Sequence, residues 1–227
     1  MLVSTTALAA VSPQQAARLG KDLTPMGAQR AGNAAGTIPP WTGGISEPLK
    51  QYQPGDFHPD PYGKDRIKHV VTSKNLKKFK TFLTSGQIAM LQKYPSYSMN
   101  IYKTRRSAAY PQFVYDAVKA NATSAQLLKY GTGVSDTIMA SPFPIPQSGA
   151  EVLWNHTLRY RALRWEFTSS TVNTTSYGDK SISSREYKYY FAYSEPGITL
   201  DDIDNKIFYL KRKTLSPAKL SGQMTLV

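Results

Sequence analysis

The chain contains no cysteine, which excludes disulfides, thiol catalysis and thiolate metal sites together. Its 3 histidines, His58, His69 and His156, are widely separated. No apolar run approaches the roughly 18 residues that a membrane-spanning helix needs. Acidic residues are scarce: 15 Asp and Glu stand against 28 Lys and Arg, giving a net charge of +13. Such a field attracts polyanions, whether nucleic acid, anionic lipid headgroups or lipopolysaccharide, and does not choose among them. The phosphate-binding patterns G-x-x-x-x-G-K-[ST] and G-x-G-x-x-G are missing, and so is a G-x-S-x-G nucleophile turn. Asp56-x-His58-x-Asp60 superficially resembles a metal cluster, but Pro59 and Pro61 make a solvated acidic turn the simpler reading. His156 has Tyr160 four residues on and reads as hydrogen-bonded to it. No catalytic residue, metal or cofactor is therefore expected, and the sequence reads as non-enzymatic.

What is present suits a folded protein: 227 residues, 41% hydrophobic and 11% aromatic, enough for one domain with a substantial core. Met1 to Ala10 (MLVSTTALAA) carries the small-x-small pattern Ala7-Leu8-Ala9 of a signal-peptidase site, without a charged start or a full apolar stretch. It reads either as the residual tail of a signal peptide or as an Ala-rich frayed terminus. The first reading implies export.

Residues 11–65 are expected to form a short helix and then a long extended segment. Ser12, Pro13 and Gln15 make a helix start with a capping box, and Gly20 offers an end. From Thr24 to Asp65 the chain is rich in Pro and Gly, with Trp41 as an anchor for the loop. Residues 66–227 are expected to hold helices and an antiparallel sheet in a single domain. Leu76, Phe79 and Leu83 recur at helical spacing. Thr84 with Gln87 caps a second helix with Ile88, Leu91 and Met90 inward, stopped by Pro95. Met99 to Thr104 reads as a strand. Pro111 opens a helix to about Tyr130 that buries Phe113, Ala117, Ala120 or Asn121, Ser124 and Leu127, with Gly131 as its cap.

The organising stretch is Ser141 to Phe167, SPFPIPQSGAEVLWNHTLRYRALRWEF. A proline-stiffened lead-in through Phe143 precedes a helix carrying Trp154, Asn155, His156 and Leu158. A strand follows with Leu163, Trp165 and Phe167 on one face and Arg164, Glu166 and Thr168 on the other. Ser176 to Asp179 turns into a second strand, where Tyr187, Tyr189, Phe191 and Tyr193 alternate with Lys188, Tyr190 and Ala192. Ile207 to Lys213 and Gly222 to Val227 supply two more strands. The fold class is α+β.

"PFPIP…G.E..WNH..RYR" resembles the signature of a proteobacterial family designated domain of unknown function 1329. Ala16 to Ile45, the "LLKYG" helix end, "LTSGQIAMLQKYP" and "MNIYKTRRSAAYP" resemble the same family, so the likeness covers nearly the whole chain. It implies an exported protein with a fold similar to the lipoprotein carriers LolA and LolB, a curled antiparallel sheet covered by helices around an apolar cavity. It also implies further strands beyond Val227. On that expectation this chain is the front part of a longer domain, an incomplete half-barrel with an open edge at Met224 to Val227.

The preferred reading is a periplasmic carrier or binding protein for a lipid or other hydrophobic ligand, serving transport at the Gram-negative envelope and outer membrane. Phe143, Trp154, Leu158, Leu163, Trp165, Phe167, Tyr189 and Phe191 would line the cavity, with the Trp154 helix as its roof. Arg159 and Arg161 would meet a charged headgroup at the rim. The same apolar residues fit a plain core. Partners on this reading are the ligand, an inner-membrane exporter or outer-membrane protein, and peripheral contact with a membrane. A second reading is a ligand-free accessory protein docking on an envelope transporter. A third is nucleic-acid binding through Lys188, Tyr189, Tyr190, Tyr193, Arg161, Arg164 and Trp165. No nucleic acid is expected, because aromatics and charges fall on opposite strand faces.

Overall fold

The structure, a computed structural model, describes residues 11–53, 55–203 and 206–227. The expected signal-peptide tail, Met1 to Ala10, lies outside the described residues. The described residues form two compact units, one of residues 11–30 with 110–227 and one of residues 31–109. Residues 11–30 of the expected N-terminal segment cluster with 110–227, and residues 31–65 with 66–109.

Helix α1 (Pro13–Ala16) begins as expected, with a reciprocal capping box between Ser12 and Gln15. It ends at Ala16 rather than at Gly20. Ala16, Leu19 and Leu23 bury themselves against Ala122. Gly27 has φ +90°, and a Cβ there would lie 1.6 Å from the Pro144 carbonyl oxygen. Only glycine lets the two backbones approach so closely.

In the unit of residues 31–109, β1 (His69–Thr72) pairs antiparallel with β2 (Ser98–Ile101). Between them lie α2 (Leu76–Phe79) and α3 (Ser85–Lys93). The Thr84–Gln87 capping box starts α3 and Leu91 is fully buried on it. Met90, expected to face inward, is 43% exposed. Trp41 donates its indole N–H to the Ala108 carbonyl at 2.9 Å, which fixes the proline-rich segment to the end of the unit. Arg105 forms two bonds to Asp65, at 3.0 and 2.5 Å, and lies over the Tyr62 ring.

Helix α4 (Gln112–Ser124) buries Val114, Ala117, Val118, Asn121 and Ala122. Ala117 and Asn121 are buried as expected, but Phe113 is 38% exposed, with its ring edge-on to Tyr160, and Val114 opens the buried stripe in its place. The helix also stops six residues short of Tyr130. Asn121, buried within it, donates to the Ile138 carbonyl and accepts from the Ile138 N–H. Ser124 Oγ donates to the Asp136 carbonyl at 2.7 Å. These side chains reward a chain that leaves the helix and folds back, through the short hairpin β3 (Gln126–Leu127) and β4 (Val134–Ser135). Residues 138–146 follow without regular structure, and Met139, Ala140, Pro142 and Phe143 are buried in them.

Helix α5 (Gly149–Thr157) is capped by Ser148, whose hydroxyl accepts from the Glu151 N–H. Beyond it, β5 (Arg164–Thr174), β6 (Lys180–Tyr190), β7 (Tyr209–Ser216) and β8 (Met224–Leu226) form one antiparallel sheet in sequence order. The α+β class and the antiparallel sheet stand. The expected curl does not: the four strands form an open, uncurled sheet with β5 and β8 as free edges, and no barrel closes among the described residues.

Candidate ligand-binding face

Period-2 alternation puts Trp165 and Phe167 of β5 opposite Tyr189 and Tyr187 of β6, on one face. Glu166 opposite Lys188 lies on the other face, at 3.0 Å between charged groups. The aromatic face is a ladder. Phe167 stacks on Tyr187 with ring centroids 4.9 Å apart and planes 9° from parallel. Tyr189 stacks on Phe191 at 5.5 Å and 6°. Trp165 meets both Phe167 and Phe191 edge-on, and Phe208 closes against Tyr189 and Phe191.

Much of this ladder is only partly covered among the described residues. Among all residues of β5 to β8, only Thr214 is buried. Phe191 at one end is 5% exposed, but Phe208 is 38%, Phe167 40% and Trp165 45% exposed. An antiparallel sheet commonly packs its apolar face on a core. Here that face is open, and a contiguous open aromatic patch marks a binding surface more often than idle exposure.

At the buried end, the Arg161 guanidinium lies 5.9 Å from the Phe191 ring centre. Its Nε is buried and has no hydrogen-bond partner, alone in this among side-chain polar atoms of the described residues. Burial first, and then the charge of Arg159, hold its pKa below the ordinary guanidinium value. Ala162 beside it has φ +67°, a left-handed conformation that costs a non-glycine residue roughly 1–2 kcal/mol. Arg159 turns away to bond the His156 carbonyl at 2.5 Å.

The structure therefore divides the expected site residues. Trp165, Phe167, Tyr189 and Phe191 come together with Arg161, and Leu163 is joined to Phe191 by a backbone bond of 2.9 Å. Phe143 and Trp154 belong to different surroundings. Trp154 donates its indole N–H to the Gly131 carbonyl at 3.0 Å, and Leu158 is 4% exposed. Phe143 borders a cleft of only about 10 Å³ with Val11, Ala122 and Glu151. Asn155 explains its position: its Oδ1 accepts from the Phe143 N–H at 2.8 Å and its Nδ2 donates to the Phe143 carbonyl at 2.6 Å. Replacing Asn155 by Ala should cost about 2 kcal/mol in urea unfolding, because two backbone groups lose their partners at once. A change below roughly 0.5 kcal/mol would mean that water takes over both bonds.

Tyr187 and Phe208 belong to the ladder and are missing from the expected set. Alternation with Tyr189 identifies Tyr187, whereas Phe208 falls in the expected strand Ile207 to Lys213 but just before the observed β7, and its neighbours Tyr189 and Phe191 lie on another strand. Tyr160, offered as a partner for His156, sits edge-on to Tyr110 and Phe113. His58 stacks on Tyr52 at 4.7 Å. Among the described residues no three His, Asp or Glu side chains come close enough to hold a metal.

The fold and face together define an α+β protein whose candidate site is an apolar contact surface on an open sheet. The description of a family, "Protein of unknown function (DUF1329)", matches residues 70–227, and the chain belongs to that family. An uncharacterised protein of Pseudomonas aeruginosa is 38% identical over 229 aligned residues, which take in 100% of this chain and 50% of the relative. The chain thus spans about half the length of the relative it matches. No solved structure matches.

Proposed function

We propose that the protein is a periplasmic, non-enzymatic carrier or binding protein for a lipid or similar hydrophobic ligand, serving envelope transport. The observation that supports it is the open aromatic ladder from Phe191 to Trp165, with Arg161 at its buried end. Each acyl methylene removed from water yields roughly 0.8 kcal/mol, so a partly covered chain of about a dozen carbons reaches micromolar affinity after ordering costs. The free Nε–H of Arg161 suits a carboxylate or phosphate oxygen at the headgroup. Export draws on the sequence pattern at Ala7 to Ala9 and on the family resemblance.

The test is titration with a fluorescent long-chain fatty acid and with the matching alcohol. The acid should bind saturably and about 10-fold more tightly than the alcohol, a difference typical of one charge-assisted hydrogen bond. Arg161→Gln should remove that preference and leave alcohol binding unchanged. Failure of both probes to saturate would overturn the reading. The alternative, an accessory protein that docks on an envelope transporter without a ligand, draws on the same open face and the free edges of β5 and β8. Native mass spectrometry of protein from its own host, retaining no lipid, would favour it.

A further inference from the structure

The opposite face of the same sheet carries a second surface of different chemistry. On it Lys188 of β6 lies across from Lys211 of β7, and Lys213 lies across from Glu186. Two like charges directly opposite in a ladder work against folding, so this arrangement is not explained by sheet stability. Lys188 is answered by Glu166 at 3.0 Å and Glu186 at 3.5 Å. Lys211 and Lys213 have no carboxylate within ion-pairing distance among the described residues. These lysines, with Glu186 and Met224, line a depression of about 260 Å³.

Apolar residues flank the cations on this face. Leu226 pairs with Lys211 and Met224 with Lys213 on the edge strand, and they are 72% and 53% exposed. Further along, Val172 pairs with Ile182, at 52% and 53% exposed, where β7 no longer accompanies the β5–β6 hairpin. Lysine stems adapt to apolar surroundings while their ammonium groups stay in a polar layer. Cations beside protruding aliphatic side chains match the boundary of an anionic bilayer, with phosphates above and acyl chains below. Nucleic acid would want stacking rings among the lysines. The stacked ladder points the other way, and the rings on this face, Tyr190 and Tyr209, pair with each other at one end of it, with the Tyr190 hydroxyl donating to Glu195.

We propose that this face docks on anionic phospholipid membranes, with Lys211 and Lys213 on lipid phosphates and Met224 and Leu226 entering the headgroup boundary. It is separate from the aromatic face, so a protein bound to the membrane keeps that face free.

Co-sedimentation of the full chain with phosphatidylglycerol–phosphatidylcholine vesicles tests the proposal. Binding should be salt-sensitive and absent with pure phosphatidylcholine. Each basic residue at such a surface contributes roughly 1 kcal/mol, so K211E with K213E should lower partitioning by about 30-fold or more. Circular dichroism should show the variant folded, since both lysines are exposed. K77E with K78E, in the other unit, should lower binding less than about 3-fold. An equal loss there would mean that net charge alone drives binding, and would overturn the site. Equal binding to neutral vesicles would overturn it too. Displacement by millimolar inorganic phosphate would assign the depression to the free anion. Double-stranded DNA retained as tightly as vesicles, and lost in K211E/K213E, would assign it to nucleic acid. Because the fatty-acid titration probes the other face, K211E/K213E should leave it unchanged, so the two readings fail separately.

Discussion

A chain carrying F167S and Y187S should remain folded and lose at least about 10-fold in acyl-chain affinity and hydrophobic-dye fluorescence. The rings stack at 4.9 Å near the middle of the ladder, and Phe167 is 40% exposed. An aromatic side chain buries about 150–250 Å² when fully covered. The open share of the two rings is therefore worth roughly 3–4 kcal/mol to any ligand that covers it, before ordering costs. That open share does not itself stabilise the fold. Unfolding free energy should fall by about 2–4 kcal/mol, because the covered share of each ring packs within the fold. If the variant unfolds while wild-type protein gives no dye signal, the rings are structural and the ladder is not a ligand surface.

The alternation that builds this face is legible in the sequence because its period is local. Trp165 and Phe167 share a side for the same reason that Arg164 and Glu166 share the other, whatever else the chain does. The capping boxes at Ser12 and Thr84 are equally local, each closed by a glutamine three residues on. What covers a face is a property of the whole fold, and there the sequence misleads. Trp154 and Leu158 look like a roof for the ladder. Trp154 instead satisfies the Gly131 carbonyl, a partner 23 positions away that no spacing rule announces.

The start of the buried stripe on α4 differs for a related reason, although Ala117 and Asn121 are buried as expected. Phe113 is the largest apolar residue at its start and invites burial. The buried stripe begins at Val114, and Phe113 stays at the rim beside Tyr160. Strand β1 is four residues of mostly exposed chain whose signal, Val70-Val71, is too short to stand out from the lysines around it. Asn121 is the most instructive case. An asparagine within a helix reads as a weak helix former, yet it holds both backbone groups of Ile138 and ends the regular segment soon after.

Tyr193 should be the residue whose loss costs most. It lies beyond β6 in a 3-10 turn, Ala192–Ser194, and is 5% exposed. Its hydroxyl bonds the Thr137 hydroxyl and donates to the Ala140 carbonyl, each at 3.1 Å. Its own carbonyl accepts from the Met139 N–H at 3.0 Å, and the adjacent Ser194 hydroxyl donates to the Met139 carbonyl at 2.9 Å. Through these bonds the end of the sheet strand is tied to the buried segment after β4. Tyr193→Ala should cost about 3–5 kcal/mol, and Tyr193→Phe about 1–2 kcal/mol, in urea unfolding at neutral pH. Burial raises the Tyr193 phenol pKa above its ordinary value, against a smaller opposing effect of the Thr137 bond. A raised acid stays neutral in the fold while the unfolded chain ionises. Its contribution is therefore complete below about pH 10 and declines above it, by up to about 1.4 kcal/mol for each pH unit. Tyr193→Phe has no proton to lose at this position. Its deficit against wild type should shrink as the pH rises from 9 to 11, whatever the other tyrosines and lysines contribute to both proteins. A deficit that stays constant over that range would show that the phenol ionises as freely in the folded protein as in the unfolded one, and the clamp on Ala140 would have to be abandoned.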